Sequence, residues 1–245
     1  VGKLLQFPNL DVNIRGKHYK TALSTVSCNG DLEICQMLLT HKDIIVNIFE
    51  EKRKTPFYVA CEYNNFPIVA LLAKQPGINI NEHTREDEKF TPLHMSILNG
   101  NEQITAFLLG LDGIDVNAQT KDGKTPLHQA SRTRKNLNIV NMLLNHKDIK
   151  LNVFTIDRFS PLHYACGKSS LAIFQRLYET GSYDINAHSN AILFYISNSI
   201  IQLESGIYSL LFIVRLSYLH VETRILQSLN IYLTILQELM LMPFL

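Results

Sequence analysis

Three histidines, His94, His128 and His163, stand 34 and 35 residues apart, and each follows a hydroxyl residue, a proline and a leucine. Imidazole is a common zinc ligand, but zinc needs its ligand nitrogens at about 2.0–2.1 Å from one point. The three recur at equivalent places of a repeat, so helix packing would hold them about 8–10 Å apart. We therefore predict structural histidines and no metal site. His41 and His146 occupy equivalent loop positions and are predicted to be turn residues.

Two short stretches look like the end of a phosphate-binding loop, Gly123-Lys124-Thr125 and Gly167-Lys168-Ser169. A Walker A loop also requires an earlier glycine, at the positions where this chain has Ala118 and Leu162. The chain contains no Gly-x-Ser-x-Gly elbow, no His-Glu-x-x-His pair and no kinase signature. The sequence thus predicts no cofactor and a chain that is not an enzyme.

Charge and cysteine usage narrow the class of protein. The chain has 23 Lys+Arg against 22 Asp+Glu, so no overall basic field would collect nucleic acid. Its cysteines form no Cys-x-x-Cys pair and occupy positions that other repeats fill with small or apolar residues, which predicts packed core thiols. We expect a reducing cytoplasmic or nuclear setting. The cysteines are Cys28, Cys35, Cys61 and Cys166.

An internal repeat is marked at two independent places. A threonine or serine that opens a helical pattern falls at positions 21, 55, 91, 125 and 160, in steps of 34 to 36 residues. An apolar residue followed by asparagine recurs with the same period. The asparagines of this second marker are Asn13, Asn47, Asn81, Asn117, Asn152 and Asn186.

Each repeat carries the signals of two short helices. The threonine is a good N-cap, and proline has a backbone angle suited to the first helical position. Glycine or asparagine near the next turn, as at Asn99-Gly100, ends the first helix. The second helix has apolar residues at helical spacing, for example Ile139, Val140 and Leu143. One such pair cannot bury its apolar stripe alone, so the pairs must stack.

The pattern Thr-Pro-Leu-His-x-Ala, with Ile-Val-x-x-Leu-Leu and Asp-Val-Asn-Ala, closely resembles the ankyrin repeat; residues 125–130 and 115–118 match it position by position. The resemblance covers residues 1 to about 188. It implies an all-α solenoid of stacked helix–turn–helix units with projecting β-hairpin fingers. It also implies that each histidine bonds its own threonine or nearby loop backbone.

The markers divide the chain into a repeat domain, 1–188, and a hydrophobic non-repeat tail, 189–245. Val1 aligns with Val140 in the middle of a second helix, so we expect a truncated first repeat. The predicted repeats are 1–13 (truncated), 14–47, 48–81, 82–117, 118–152 and 153–186.

The tail loses the repeat pattern abruptly, and it contains neither lysine nor aspartate. One interpretation is a membrane span over residues 191–214, although Asn198, Gln202 and Glu204 fall within it. A second is a helical cap, although its leucines and isoleucines leave no polar face. A third is that the stretch is not a selected protein sequence, for instance a shifted reading frame or an unspliced intron. The abrupt start favours the third, and all three stay open.

By the ankyrin resemblance, a partner would contact the finger tips and the exposed inner face of the first helices. Tyr63, Phe90, Arg132 and Phe159 are the preferred anchors, because aromatic and arginine side chains are the commonest hot spots. The matching positions are Arg53, Lys54, Glu62, Tyr63, Phe90, Leu98, Asn99, Lys121, Asp122, Lys124, Arg132, Thr133, Arg158 and Phe159.

Two charged stretches each have a structural and a functional interpretation. The basic cluster Arg132 to Lys135 is either a solvated turn or a patch for an acidic partner. The acidic finger Glu82 to Glu88 is either a solvated loop or selects a basic partner.

The sequence as a whole predicts a non-catalytic scaffold that binds another protein, and no nucleic acid, along the concave groove of the stack. Two alternatives stay open: the regulatory segment of a membrane channel, or the targeting part of a larger enzyme.

Overall fold

The computed structural model describes residues 2, 7, 10–85, 87–167 and 171–180, all within one compact unit, Val1–Asp184. These residues form five helix pairs and no β-strand. The first helices of the pairs are α1 (Ala22–Asn29), α3 (Pro56–Glu62), α5 (Pro92–Leu98), α7 (Pro126–Ser131) and α9 (Pro161–Gly167). The second helices are α2 (Leu32–Leu39), α4 (Phe66–Leu72), α6 (Glu102–Leu109), α8 (Leu137–Leu144) and α10 (Leu171–Tyr178).

The first helices begin where the repeated hydroxyl residue predicts. The side-chain oxygen of Thr55 accepts a hydrogen bond from the Tyr58 N–H, and Thr21 does the same for Ser24 although its repeat lacks the proline. In α5 the exchange is reciprocal, because the imidazole of His94 also faces the backbone N–H of Thr91. Such caps satisfy N–H groups that have no partner inside the helix.

The helices form two layers, as the stacked-pair prediction requires. Each first helix packs on the first helices of the neighbouring pairs, and each second helix packs likewise within its own layer. The residue two positions after the repeated hydroxyl forms a buried column through the first layer, with no member more than 2% exposed. The column consists of Leu23, Phe57, Leu93, Leu127 and Leu162. The predicted all-α stack is confirmed.

The loops that lead into the first helices project as fingers 1 to 5, which we define as residues 14–20, 48–54, 82–90, 118–124 and 153–159. Across the described residues the fingers are turns and not the two-stranded β-hairpins that the resemblance implies. Each is closed by one backbone hydrogen bond of 2.9–3.0 Å. The bonds join residues 16 and 20, 50 and 54, 84 and 90, 120 and 124, and 155 and 159.

Neighbouring fingers are tied side by side. Single backbone hydrogen bonds link Arg85 N–H to the Lys52 carbonyl, Lys121 N–H to Glu88 and Ile156 N–H to Asp122, at 3.0–3.1 Å. Gly123 allows the last contact, because its φ is +78° and a Cβ there would lie 3.1 Å from Thr155 Cα and 3.2 Å from the Ile156 nitrogen. Fingers 2 to 5 therefore form one continuous row.

The repeated asparagine forms a second ladder between repeats. In each of four repeats its side-chain N–H donates to a carbonyl of the next repeat, and its oxygen accepts a backbone N–H two residues further on. The donor bonds, all 2.7 Å, run from Asn13 to Asp43, Asn47 to Gly77, Asn81 to Gly113 and Asn117 to Asp148. The acceptor bonds come from the N–H groups of Ile45, Asn79, Asp115 and Lys150. One amide thus satisfies two backbone groups that no helix or sheet pairs.

Substituting Asn81 by alanine is expected to lower the free energy of unfolding by about 1–2 kcal/mol, because the Gly113 carbonyl and the Asp115 N–H both lose their partner. Urea unfolding followed by circular dichroism measures the loss. The matched control is Asn145→Ala, at an exposed helix end where the side chain makes no hydrogen bond in the described structure. Equal losses in both variants would show that the ladder contributes nothing specific.

The cysteines match the sequence prediction at two positions. Cys35 and Cys61 are free thiols buried in the core, and burial raises the pKa of Cys35 to about 11. Cys28 is also free but only half-buried, so the core prediction is wrong there; it occupies the last turn of α1, at the rim of the first layer. The side chain of Cys166 lies outside the described structure.

No helix in the described part of the chain is long and apolar enough to cross a membrane. The proposed span at 191–214, the rest of the 189–245 tail and Val1 with its predicted half-helix lie outside the described residues.

Candidate partner-binding surface

The repeated histidines are structural hydrogen-bond bridges. The Nδ1 of His94 lies 2.8 Å from Thr91 Oγ1, and its Nε2 lies 3.2 Å from the Lys124 carbonyl oxygen of the next repeat. His128 makes the same pair of contacts with Thr125 and Phe159, at 2.8 and 3.0 Å. The contacts implied by the resemblance are confirmed, and they also tie each repeat to its successor.

Burial makes these two rings unfavourable sites for a proton. Both are fully buried, and burial is the main cause that lowers the pKa of His94 and of His128 to about 4. Their nearest hydrogen bonds to carbonyls oppose this effect only in part. Among the described residues no cluster of three or more histidine, cysteine or acidic side chains could hold a metal ion.

The other residues considered as possible metal ligands or phosphate-binding groups lie in turns and fingers of the stack. His41 and His146 each accept a hydrogen bond on Nδ1 from the backbone N–H two residues later, at 3.3 Å, which confirms them as turn residues. The Gly123-Lys124-Thr125 stretch lies in finger 4 and at the start of α7, where the Lys124 ammonium lies 3.0 Å from an Asp122 carboxylate oxygen. Lys168 and Ser169 lie outside the described residues.

The C-terminal ends of α3, α5 and α7 present an exposed row of side chains. Tyr63 is 53% exposed and Leu98 44% exposed, and Arg132 and Thr133 of the next repeat are exposed as well. The side-chain N–H of Asn99 reaches back to the Glu62 carbonyl at 2.8 Å, so adjacent members are fixed to one another. We call Glu62, Tyr63, Leu98, Asn99, Arg132 and Thr133 the helix-end row.

Fingers and helix-end row meet on one surface in the second repeat. The Lys54 ammonium lies 2.7 Å from both carboxylate oxygens of Glu62, which bridges the base of finger 2 to the end of α3. The same ammonium lies 5.6 Å from the ring centre of Tyr58. Of the other predicted finger residues, Arg53, Lys121, Asp122 and Arg158 are exposed. The structure therefore brings predicted residues from both elements together.

The predicted aromatic anchors divide into two kinds. Tyr63 is exposed, and a hydrogen bond with the Cys28 thiol raises the pKa of its hydroxyl. Phe90 and Phe159 are half-buried, and their rings make T-shaped contacts with the imidazoles of His94 and His163, at interplanar angles of 82° and 71° and centroid distances of 5.9 and 5.8 Å. Removing either ring would disturb packing as well as any partner contact.

The acidic finger is partly neutralised. A carboxylate oxygen of Glu82 accepts a 2.7 Å hydrogen bond from the Arg53 guanidinium, and its other oxygen accepts one from Asn79. Arg53 also lies 4.9 Å above the ring of Phe49. Finger 3 therefore begins with a paired carboxylate and not with a free one.

Sequence reasoning missed the side chains at the tips of fingers 1 and 2. Arg15, Tyr19, Phe49 and Lys52 border an open cleft there, beside the predicted Arg53. A signal existed: these tips have His-Tyr and Lys-Arg where finger 4 has Asp-Gly. Large side chains at positions that favour glycine point to a role other than turn formation.

Comparison with known proteins gives one result. The family model described as Ankyrin repeats (3 copies) matches residues 1–84 and 82–155, which together exceed half of the 245-residue chain. A search of curated proteins finds no match.

Proposed function

Because the chain belongs to the ankyrin repeat family, we propose that residues 1–188 form a non-catalytic scaffold that binds a partner protein through the fingers and the helix-end row. Ankyrin repeats are generally protein–protein interaction modules, and the family is typically non-catalytic. The repeat boundaries given above and a cytoplasmic or nuclear location are part of this proposal.

The observation that carries the proposal is the helix-end row. Its apolar members, Tyr63 and Leu98, are about half exposed although the first layer beneath them is closed by a fully buried column. The stack thus holds these side chains in fixed positions without using them for its own core. Exposed aromatic and apolar side chains on a rigid scaffold suit recognition, since little conformational entropy is lost on binding.

The Lys54–Glu62 bridge adds a second argument. It places a finger and a helix end on one continuous surface, so a partner that contacts one meets the other. Tyr63 and Arg132 lie on successive parts of that surface and belong to the residue types that dominate interface energies. They are therefore the anchors of the proposed interface, with Leu98 between them.

We expect the double variant Tyr63→Ala/Arg132→Ala to lose partner binding by about tenfold or more, with the unfolding curve unchanged, because both side chains are exposed. The measurement is quantitative mass spectrometry of proteins retained by the full-length chain, followed by titration of the retained proteins.

The matched control is Lys74→Ala/Gln103→Ala, which removes two exposed side chains from α6 and from just beyond α4. The control is expected to retain the same proteins with the same affinity. Equal retention by both double variants would remove the helix-end row from the interface.

A further inference from the structure

We propose that the cleft at the tips of fingers 1 to 3 binds an acidic peptide segment that also carries an aromatic or other apolar side chain. This inference rests on the proposed function, because it assigns a chemistry to the partner of the same scaffold. We call the site the tip cleft and define it by Arg15, Tyr19, Phe49, Lys52 and Arg53.

The tip cleft is open and large enough for several side chains. Its volume is about 700 Å³, and it is bordered by residues from three successive fingers. Finger 3 contributes the exposed side chains of Arg85 and Asp87, and its backbone is held against finger 2 by the Arg85 N–H to Lys52 carbonyl bond of 3.1 Å. This bond fixes the distance between fingers 2 and 3 on one side of the cleft.

The carboxylates of the cleft have partners within the stack, whereas two of its cations have none in the described structure. Glu50 bonds the Ser24 hydroxyl, and Glu51 lies 3.0 Å from the imidazole of His18. Arg15 and Lys52, in contrast, make no ion pair within the described structure, and both are exposed. The cleft thus offers the hydrogen-bond donors of two cations to an incoming carboxylate.

Aromatic surface lies beside these charges. Tyr19 is 61% exposed at the tip of finger 1, and Phe49 carries the Arg53 guanidinium 4.9 Å from its ring centre. The guanidinium is held in place by this ring and by its 2.7 Å hydrogen bond to Glu82. Cations and aromatic faces side by side favour a ligand that has both an acidic and an apolar group.

The backbone at the tips supplies an independent argument. His18 and Tyr19 have φ values of 59° and 58°, and Lys52 and Arg53 have 61° and 58°. Two consecutive residues with positive φ form the kind of turn that strongly prefers Asn-Gly. A large side chain in this region costs about 1 kcal/mol or more relative to glycine.

The fourth finger shows that glycine is compatible with this fold, since Gly123 stands at the position equivalent to Tyr19 and Arg53. Lys89 and Arg158 also have positive φ there, in fingers 3 and 5, but only fingers 1 and 2 add a second positive-φ residue before it. Side chains kept at a conformational cost, where the scaffold itself accepts glycine, are expected at functional positions. Tyr19 and Arg53 both border the tip cleft.

A peptide fits the charge pattern better than a nucleic acid does. The cations of the cleft alternate with the carboxylates of Glu50, Glu51 and Asp87, which would repel a uniformly charged phosphate backbone. A protein segment can place separate carboxylates opposite Arg15 and Lys52 and an aromatic ring against Tyr19. Charge complementarity therefore selects an acidic segment of a partner protein as the occupant.

The test is selection of a random dodecapeptide phage library on the full-length chain, followed by fluorescence anisotropy with synthetic versions of the selected peptides. Selected sequences are expected to share acidic residues and an aromatic residue. Arg15→Glu/Lys52→Glu should weaken their binding by about tenfold or more. Lys42→Glu/Lys147→Glu, which makes the same charge change at exposed lysines outside the fingers, should change it less than about twofold.

A second variant separates binding from folding. Lys52→Asn/Arg53→Gly installs the residues that this turn prefers, so we expect an unfolding midpoint equal to or above that of the unchanged chain, together with about tenfold weaker peptide binding. Unweakened binding in this variant and in the glutamate variant would overturn the proposal, as would selection of neutral or basic peptides.

The remaining outcomes distinguish the two proposals. Peptides whose binding depends on Tyr63 and Arg132, but on no residue of the tip cleft, would overturn the tip cleft and leave the proposed function standing. Tighter binding of a single-stranded DNA oligonucleotide than of any selected peptide, lost in the Arg15→Glu/Lys52→Glu variant, would overturn the acidic-peptide assignment. Failure to select any binding peptide, together with failure to retain any protein, would overturn both.

Discussion

Acidification from pH 7 to pH 5 is expected to lower the free energy of unfolding by about 4 kcal/mol through His94 and His128 alone. Each imidazole has a pKa of about 4 in the folded chain, well below its ordinary value near 6.5, because both rings are buried. Between these two values the unfolded chain binds more protons than the folded one. The contribution of these two imidazoles to the free energy of unfolding is therefore fully present above about pH 6.5. It is lost as the pH falls toward 4.

Urea unfolding at pH 7.5, 6 and 5 measures this effect, and the double variant His94→Gln/His128→Gln isolates it from the carboxylates. The variant is expected to be less stable at pH 7.5, because glutamine cannot reproduce both bridges to the next repeat. Its stability should then fall much less between pH 7.5 and pH 5 than that of the unchanged chain. Parallel pH profiles would show that the two rings do not carry the acid sensitivity.

Replacement of Leu93 by alanine is expected to lower the free energy of unfolding by about 2–5 kcal/mol. Leu93 is fully buried in α5, whose neighbours in the first layer are α3 and α7. A cavity there weakens the contacts of the central repeat with the repeats on both sides. Since each repeat is stabilised mainly by its neighbours, the loss is expected to be felt throughout the stack.

Leu98→Ala is the matched control, because it removes the same side chain five residues later in the same helix, where it is 44% exposed. Its effect on stability is expected to stay within about 0.5 kcal/mol. Chemical denaturation of both variants provides the comparison. Similar losses of unfolding free energy in both variants would contradict a stabilising role of the buried column. Lower partner affinity of Leu98→Ala with normal stability would support binding at the helix-end row.

The helices could be predicted because their signals are local. A hydroxyl N-cap followed by proline sets the start of α3, α5 and α7, and Thr21 caps α1 even where the proline is missing. The role of the repeated histidine followed from the resemblance. Its second partner, a carbonyl of the next repeat, could not be deduced from the residues because it depends on how the repeats stack.

The asparagine ladder illustrates what a pattern leaves undetermined. The period of Asn47 and Asn81 was evident in the sequence. The sequence did not show that the side chain of each asparagine bonds to the following repeat. Burial was equally hard to predict at the fingers. Phe90 and Phe159 look like exposed anchors by position, yet both pack against imidazole edges in their own repeats.

The tips of fingers 1 and 2 could not be predicted from turn chemistry. Lys-Arg and His-Tyr are not residues that a turn with two positive φ angles prefers, so propensity alone gives no such turn at these positions. In finger 2 the conformation is accompanied by the closing bond from Glu50 N–H to the Lys54 carbonyl at 2.9 Å and by the bond from Arg85 N–H of finger 3 to the Lys52 carbonyl at 3.1 Å. Residues whose turn preference disagrees with the observed backbone conformation are expected at functional sites.

Whether a protein partner binds the fingers and the helix-end row is measured by hydrogen–deuterium exchange of the full-length chain with a protein that it retains. We expect slower exchange at residues 14–20, 48–54, 62–63, 98–99 and 132–133 when this protein is added, with α4, α6 and α8 unchanged. Slower exchange confined to the second helices, with the fingers unaffected, would contradict this expectation.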